Sequence, residues 1–156
     1  MDIISLSDLY QKILVAIDGS KASSNAAEHG INLAQRYKAS LIILHFLHLN
    51  TLRQISSSFI TAPTFGLEEA QELKATAKKW TENINKKAKA KGLVSKTKII
   101  EEAASIVGSI VEFAEEEGVD LIVVGTTGKT GFRRLLIGSV AQGVLTYAHC
   151  PVLAVR

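Results

Sequence analysis

One cysteine, two prolines, one tryptophan and 6% aromatic residues are all this chain of 156 residues offers of the residue types that staple, kink or stack. The single thiol, Cys150, closes no intramolecular disulfide and has no second cysteine with which to ligate zinc, which excludes a disulfide framework and a cysteine-rich metal site. Beside Pro151 it reads as a small buried hydrophobe. Long apolar runs are missing too: they stop at four or five residues, far short of the ~20 that cross a bilayer. The opening MDIISLSDLYQK lacks the basic start and apolar stretch of a signal peptide. A cytoplasmic protein is expected.

The shortage of aromatics also bears on charge. Net charge is +3, and Lys74, Lys78, Lys79, Lys86, Lys87, Lys89, Lys91, Lys96 and Lys98 crowd one stretch, interleaved with Glu68, Glu69, Glu72 and Glu82. Without stacking side chains among them they read as a solvated helix face, and no nucleic-acid partner is expected. Catalytic constellations are absent: His29, His45, His48 and His149 are scattered, with neither an HExxH pair nor a nucleophile elbow. No residue stands out as a general base, and His45 reads as a core or supporting residue.

What is present is apolar and ordered. At 47% hydrophobic, residues 1–156 suffice for one domain with one core. Runs 13–17 (ILVAI), 41–44 (LIIL), 121–124 (LIVV) and 152–155 (VLAV) do not alternate, the pattern of strands covered on both faces. The run 96–101 (KTKIIE) is a more polar strand, suited to a sheet edge. Between these lie helical periodicities: Ala26, Ala27, Gly30, Ile31, Ala34 and Tyr37, with Ser20 as N-cap; Leu73, Ala77, Trp80, Ile84 and Ala88 within a long helix over 67–91 that Gly92 ends; Ile106, Ile110, Phe113 and Ala114; and Val140, Ala141, Val144, Leu145 and Ala148. Strands alternating with helices predict an α/β fold, an open parallel five-stranded sheet with helices on both faces. The Ser/Thr-rich stretch 49–66 is either a flap over a ligand or a surface loop.

The most specific pattern is Gly125-x2-Gly128-x9-Gly138-Ser139, between a buried strand and a helix start. Glycine lets backbone N–H groups approach an anion, and a helix N-terminus adds unpaired donors and partial positive charge. The loop therefore predicts a phosphate cradle, to which Lys129, Arg133 and Arg134 add charge. It is not a P-loop, because that register needs glycine where Val123 stands, nor a dinucleotide G-x-G-x-x-G. Ligands in such sheets bind beyond the strands' carboxyl ends, where strand order reverses. Order 3-2-1-4-5 would bring Asp18-Gly19-Ser20 and the glycine loop to one crevice. Asp18 either accepts from ribose hydroxyls or a base amine, helps hold a divalent cation, or is simply a turn residue; Ser139 either caps its helix, contacts phosphate, or does both. The same order leaves 152–155 at an apolar edge, which predicts a homodimer through that strand.

On ILVAIDGS at 13–20, EEEGVDLIVVG at 115–125, the glycine pattern, and CPVLAV at 150–155, the chain resembles the universal stress proteins over nearly its whole length, and specifically their ATP-binding branch. The resemblance implies a Rossmann-like sheet of the adenine nucleotide alpha hydrolase kind in the order above, dimerisation through the last strand, and a role in the stress response. It implies ATP or AMP as ligand, with Mg2+ or Mn2+ as a possible companion. By the same resemblance Ala16, Ile17 and Asp18 lie near the nucleoside and Leu41 at the rim of an adenine pocket, while Gly125, Thr126, Gly128, Gly138, Ser139 and Val140 surround the ribose and phosphates. Thr127 stands where many members carry His or Arg, with Lys129 as a compensating charge. A nucleotide-dependent regulator is the leading expectation. A slow ATPase, or an interaction protein using 49–66 with incidental nucleotide, are the alternatives.

Overall fold

The computed structural model describes residues 9–47, 65–127 and 137–156. Among these, strands and helices alternate: β1 (Lys12–Ile17), α1 (Lys21–Tyr37), β2 (Ser40–Phe46), α2 (Phe65–Ala90), β3 (Ser95–Ile100), α3 (Ile106–Glu116), β4 (Leu121–Gly125), α4 (Ser139–Tyr147) and β5 (Val152–Val155). All strand pairs are parallel, in the order β3-β2-β1-β4-β5, as the sequence pattern predicts.

The unalternating apolar runs are explained by cover on both faces. Ile13, Val15 and Ile17 of β1 point with Leu41 and Ile43 of β2 into a cluster closed by Ala26, Ile31 and Ala34 of α1 and Ala88 of α2. Leu14, Ile42 and Leu44 point the other way, into a cluster closed by Ile110 and Ala114 of α3 and Ala141 and Val144 of α4. Each fully buried Ile or Leu contributes roughly 1.5–3 kcal/mol relative to exposure. The polar β3 lies at an edge. Its Lys96 pairs with Glu117 at 2.7 Å, and Lys74 of α2 with Glu101 at 2.7 Å. Lys87 reaches Glu28 and Lys91 reaches Asn32 (2.7 Å) across to α1, so these basic residues act as solvated links between neighbouring elements.

Helix ends follow capping chemistry. Ser20 caps α1, its hydroxyl accepting from Ser23 N–H at 3.1 Å. Gly92, at φ +77°, closes α2 in a Schellman arrangement: Leu93 N–H donates to Ala88 O at 3.1 Å and Gly92 N–H to Lys89 O at 2.9 Å. α1 ends instead on Lys38, at φ 55°, a left-handed position held by a residue with a Cβ. Two boundaries differ from expectation: α2 begins at Phe65, taking the last two residues of the stretch read as loop, and β3 spans Ser95–Ile100. The remainder of that stretch, up to residue 64, lies outside the described residues.

One tie between strand starts has no sequence signal. Asp120 Oδ2 accepts from Gln11 and Lys12 N–H at 2.8 Å each, while Lys12 Nζ donates to Glu117 O. These bonds set the β1/β4 register, Ile13 opposite Leu121, and so the level at which both strands end.

Candidate functional site

The chain winds outward from β1 to β2 and β3, then returns to lay β4 on the other side of β1, so strand order reverses between β1 and β4. Beyond their carboxyl ends lies a crevice of about 270 Å³. Its walls come from Ala16, Ile17 and Asp18 at the end of β1, Phe46 at the end of β2, and Val124 to Thr127 after β4. Gly138 to Ala141 opening α4, Ile106 and Ile110 of α3, and Ser23 complete it.

Short hydrogen bonds hold the mouth in shape. Thr126 N–H donates to Val155 O at 2.7 Å, and Gly138 N–H donates to Thr126 O at 2.6 Å. Across the crevice Ser20 Oγ meets Thr127 O at 3.3 Å, and Ser20 N–H donates to Asp18 Oδ1 at 2.9 Å. The β1 turn and the β4 turn are therefore tied directly. With both backbone groups of Thr126 committed, its side chain is the odd one out: only 7% exposed, it has a buried Oγ1 with no hydrogen-bond partner among the described residues. At the start of α4 the first intrahelical bond runs from Gln142 N–H to Gly138 O, so the N–H groups of Ser139, Val140 and Ala141 have no acceptor within the helix.

Two signature glycines have packing reasons. A Cβ on Gly125 would stand 2.8 Å from Ala22 C and Ser23 N, because the end of β4 runs against the first turn of α1. A Cβ on Gly138 would stand 3.1 Å from Thr126 O, the acceptor of its own N–H. Neither has a positive φ; at both positions backbone passes close to backbone.

Of the residues expected at a site, Ala16, Ile17, Asp18, Gly125, Thr126, Thr127, Gly138, Ser139 and Val140 come together around this crevice. Gly128 and Lys129, with Arg133 and Arg134, lie outside the described residues. Leu41 is corrected. It sits near the start of β2, opposite Ile13, 1% exposed in the core beneath α1. The register pairs Ile17 with His45, so the β2 residue that reaches the crevice is Phe46. Ser139 is not the cap of α4 either: Gly138 holds that position without a side-chain bond, and Ser139 is the first helical residue. Sequence reading missed Phe46, Ile106 and Ile110. The signal for the first was its place at the end of an apolar run, and for the others their spacing of four at the start of a helix.

The described residues contain no cluster of three His, Cys, Asp or Glu suited to a metal, and no helix long and apolar enough to cross a membrane. Apolar Phe46, Ile106 and Ile110, lining the same crevice as the N–H donors that open α4, make a cleft suited to a flat apolar group joined to an anion.

The family model for the universal stress protein family matches residues 9–156. Universal stress protein MJ0531 of Methanocaldococcus jannaschii is 38% identical over 151 residues, 96% of this chain and 84% of the relative. Universal stress protein YxiE of Bacillus subtilis is 35% identical over 150 residues, covering 95% and 100%. Among solved structures, that of MJ0577, also from M. jannaschii, superposes with a TM-score of 0.77 at 31% identity, covering 94% of this chain and 96% of that one. A universal stress protein solved in complex with cAMP superposes with a TM-score of 0.63 at 26% identity, covering 94% and 97%.

Proposed function

This chain belongs to the universal stress protein family, and on that premise we propose that it binds an adenine nucleotide, ATP or AMP, in the crevice between β1 and β4. In this reading it is a cytoplasmic regulator of the stress response. The observation that carries the reading is Thr126 Oγ1, buried in the crevice wall without a partner. An unpaired buried hydroxyl costs about 1–3 kcal/mol, and turning the side chain toward a ligand oxygen in the crevice would relieve it. The three N–H groups opening α4 have no acceptor within the helix and suit phosphate. A relative's complex with cAMP supports the ligand class.

The roles then divide along the crevice. Phe46, Ile106 and Ile110 take the base, which no lining side chain on that wall is polar enough to read by hydrogen bond. Asp18 accepts from the ribose hydroxyls, beside Ala16 and Ile17. Thr126, Thr127 and residues 138–140, with Gly128 and Lys129, surround the phosphates. Where Mg2+ or Mn2+ accompanies a triphosphate, Asp18 is the only carboxylate among the described lining residues. A homodimer through β5 completes the proposal: that strand forms the sheet edge, with Val152, Leu153 and Ala154 half-buried.

Natively purified protein, denatured and analysed by mass spectrometry, is expected to release ATP or AMP, and calorimetry on stripped protein to show one site per chain. Absence of both signals would refute the reading. Phosphate release that persists at wild-type rate in Gly138→Val would be contaminant activity; release that the variant abolishes would instead make the protein a slow ATPase.

A further inference from the structure

Asp18 sits at the crevice on a turn, and the residues on either side of it are gripped from outside the crevice. On one side, Ile17 O lies 2.8 Å from His45 Nδ1. A carbonyl only accepts, so Nδ1 carries the hydrogen and donates. On the other side, Gly19 adopts φ +81°, and a Cβ there would stand 2.4 Å from both Cη2 and Cζ3 of Trp80. The indole therefore lies flush on the turn. His45 and Trp80 also meet each other, edge to face, with centroids 5.9 Å apart and planes at 82°. Neither ring lines the crevice. Trp80 instead lines a separate hollow of about 260 Å³ between α1 and α2.

We propose that His45 and Trp80 are positioning residues that lock the Ile17-Asp18-Gly19 turn, so that nucleotide occupancy and the seating of α2 control each other. The inference rests on the crevice being the nucleotide site. Its physical basis is that the backbone of the turn is held on both sides: a left-handed glycine pressed by an aromatic ring, and a carbonyl bonded by a buried imidazole 5% exposed, fix where the Asp18 side chain starts relative to β1. A shift of α2 moves the indole, the indole moves Gly19, and Asp18 follows. Coupling of this kind is reciprocal, so any partner that displaces α2 changes nucleotide affinity by the factor that nucleotide changes its own.

Trp80 is the chain's single tryptophan, which makes the lock directly visible. Titration of the full chain with ATP is expected to change Trp80 emission with the midpoint that calorimetry gives. His45→Ala and Trp80→Leu, checked as folded by circular dichroism, are expected to lose at least tenfold in affinity. His45→Asn, whose amide nitrogen replaces the Nδ1 donor, restores affinity to within about threefold, which a role in packing alone would not produce. Unchanged emission at calorimetric saturation, or wild-type affinity in the folded Ala and Leu variants, would overturn the lock. If the wild-type protein binds neither ATP nor AMP, the nucleotide reading fails by itself. The lock is then decided by amide exchange at Gly19 and Ser20: faster exchange in His45→Ala supports it, equal exchange refutes it.

Discussion

Replacing Gly125 by alanine separates two explanations of the same glycine. If the position is small so that a ligand's phosphate can approach, the substitution removes binding and leaves the unliganded fold alone. If it is small because β4 abuts α1, the added methyl carbon meets Ala22 C and Ser23 N at 2.8 Å and Ala22 Cβ at 3.1 Å. Two of these three are backbone atoms in the first turn of a capped helix and cannot rotate away. Overpacking of this kind costs about 1–3 kcal/mol, and the upper end applies when backbone must move. The lost freedom of the unfolded chain returns roughly 0.4–1 kcal/mol. A net destabilisation of about 2 kcal/mol corresponds to a melting temperature lower by roughly 4–8 °C for a domain of this size. The assay is thermal unfolding of nucleotide-stripped protein followed by circular dichroism, with Gly138→Ala as comparison. There the one tight contact is a carbonyl oxygen at 3.1 Å, the other two standing at 3.9 Å, so the unliganded melting temperature is expected to stay within about 2 °C. An unaltered melting temperature in Gly125→Ala, with binding lost, would refute the packing explanation.

Thr126→Val removes the unpartnered hydroxyl; unliganded protein is expected to gain about 1 kcal/mol, some 2–4 °C in melting temperature, while calorimetry shows weaker nucleotide binding. Lys38 ends α1 at φ 55°, so Lys38→Gly is expected to stabilise by about 0.5–1 kcal/mol, read as a higher urea midpoint at unchanged slope. Burial, and then the negative charge of Asp120, push the Cys150 thiol above its ordinary value. Thiolate is the reactive form, so iodoacetamide is expected to label folded protein at least tenfold more slowly than unfolded protein at pH 7.5, with the rate rising through a higher pH midpoint. Asp120→Asn is expected to bring that midpoint down.

The sheet was legible because its signals are local and strong. Apolar runs without alternation mark doubly covered strands, and the polar 96–101 run declared its edge. Ser20 and Gly92 announced their helix boundaries through side-chain and backbone chemistry that operates within a few residues. What escaped depends on distance. Leu41 was misplaced because a parallel register, not a residue's own character, decides which part of β2 lies level with Asp18: Ile13 stands opposite Leu41 and Ile17 opposite His45, with Ser40 N–H held by Gln11 O where the pair begins. Ser139 looked like a cap because its hydroxyl suits one, but the cap position went to the glycine that fits beneath Thr126 O. The glycine pattern located the crevice, yet the reasons for Gly125 and Gly138 lie in neighbours over 100 residues away or across a loop, where composition carries no trace.

The bond from Gly138 N–H to Thr126 O works as a clasp on a purse. It brings the end of β4 and the start of α4 to one point, so Thr126, Thr127 and the N–H groups opening α4 keep a fixed relation to one another, and any change at Gly138 acts on both walls of the crevice at once.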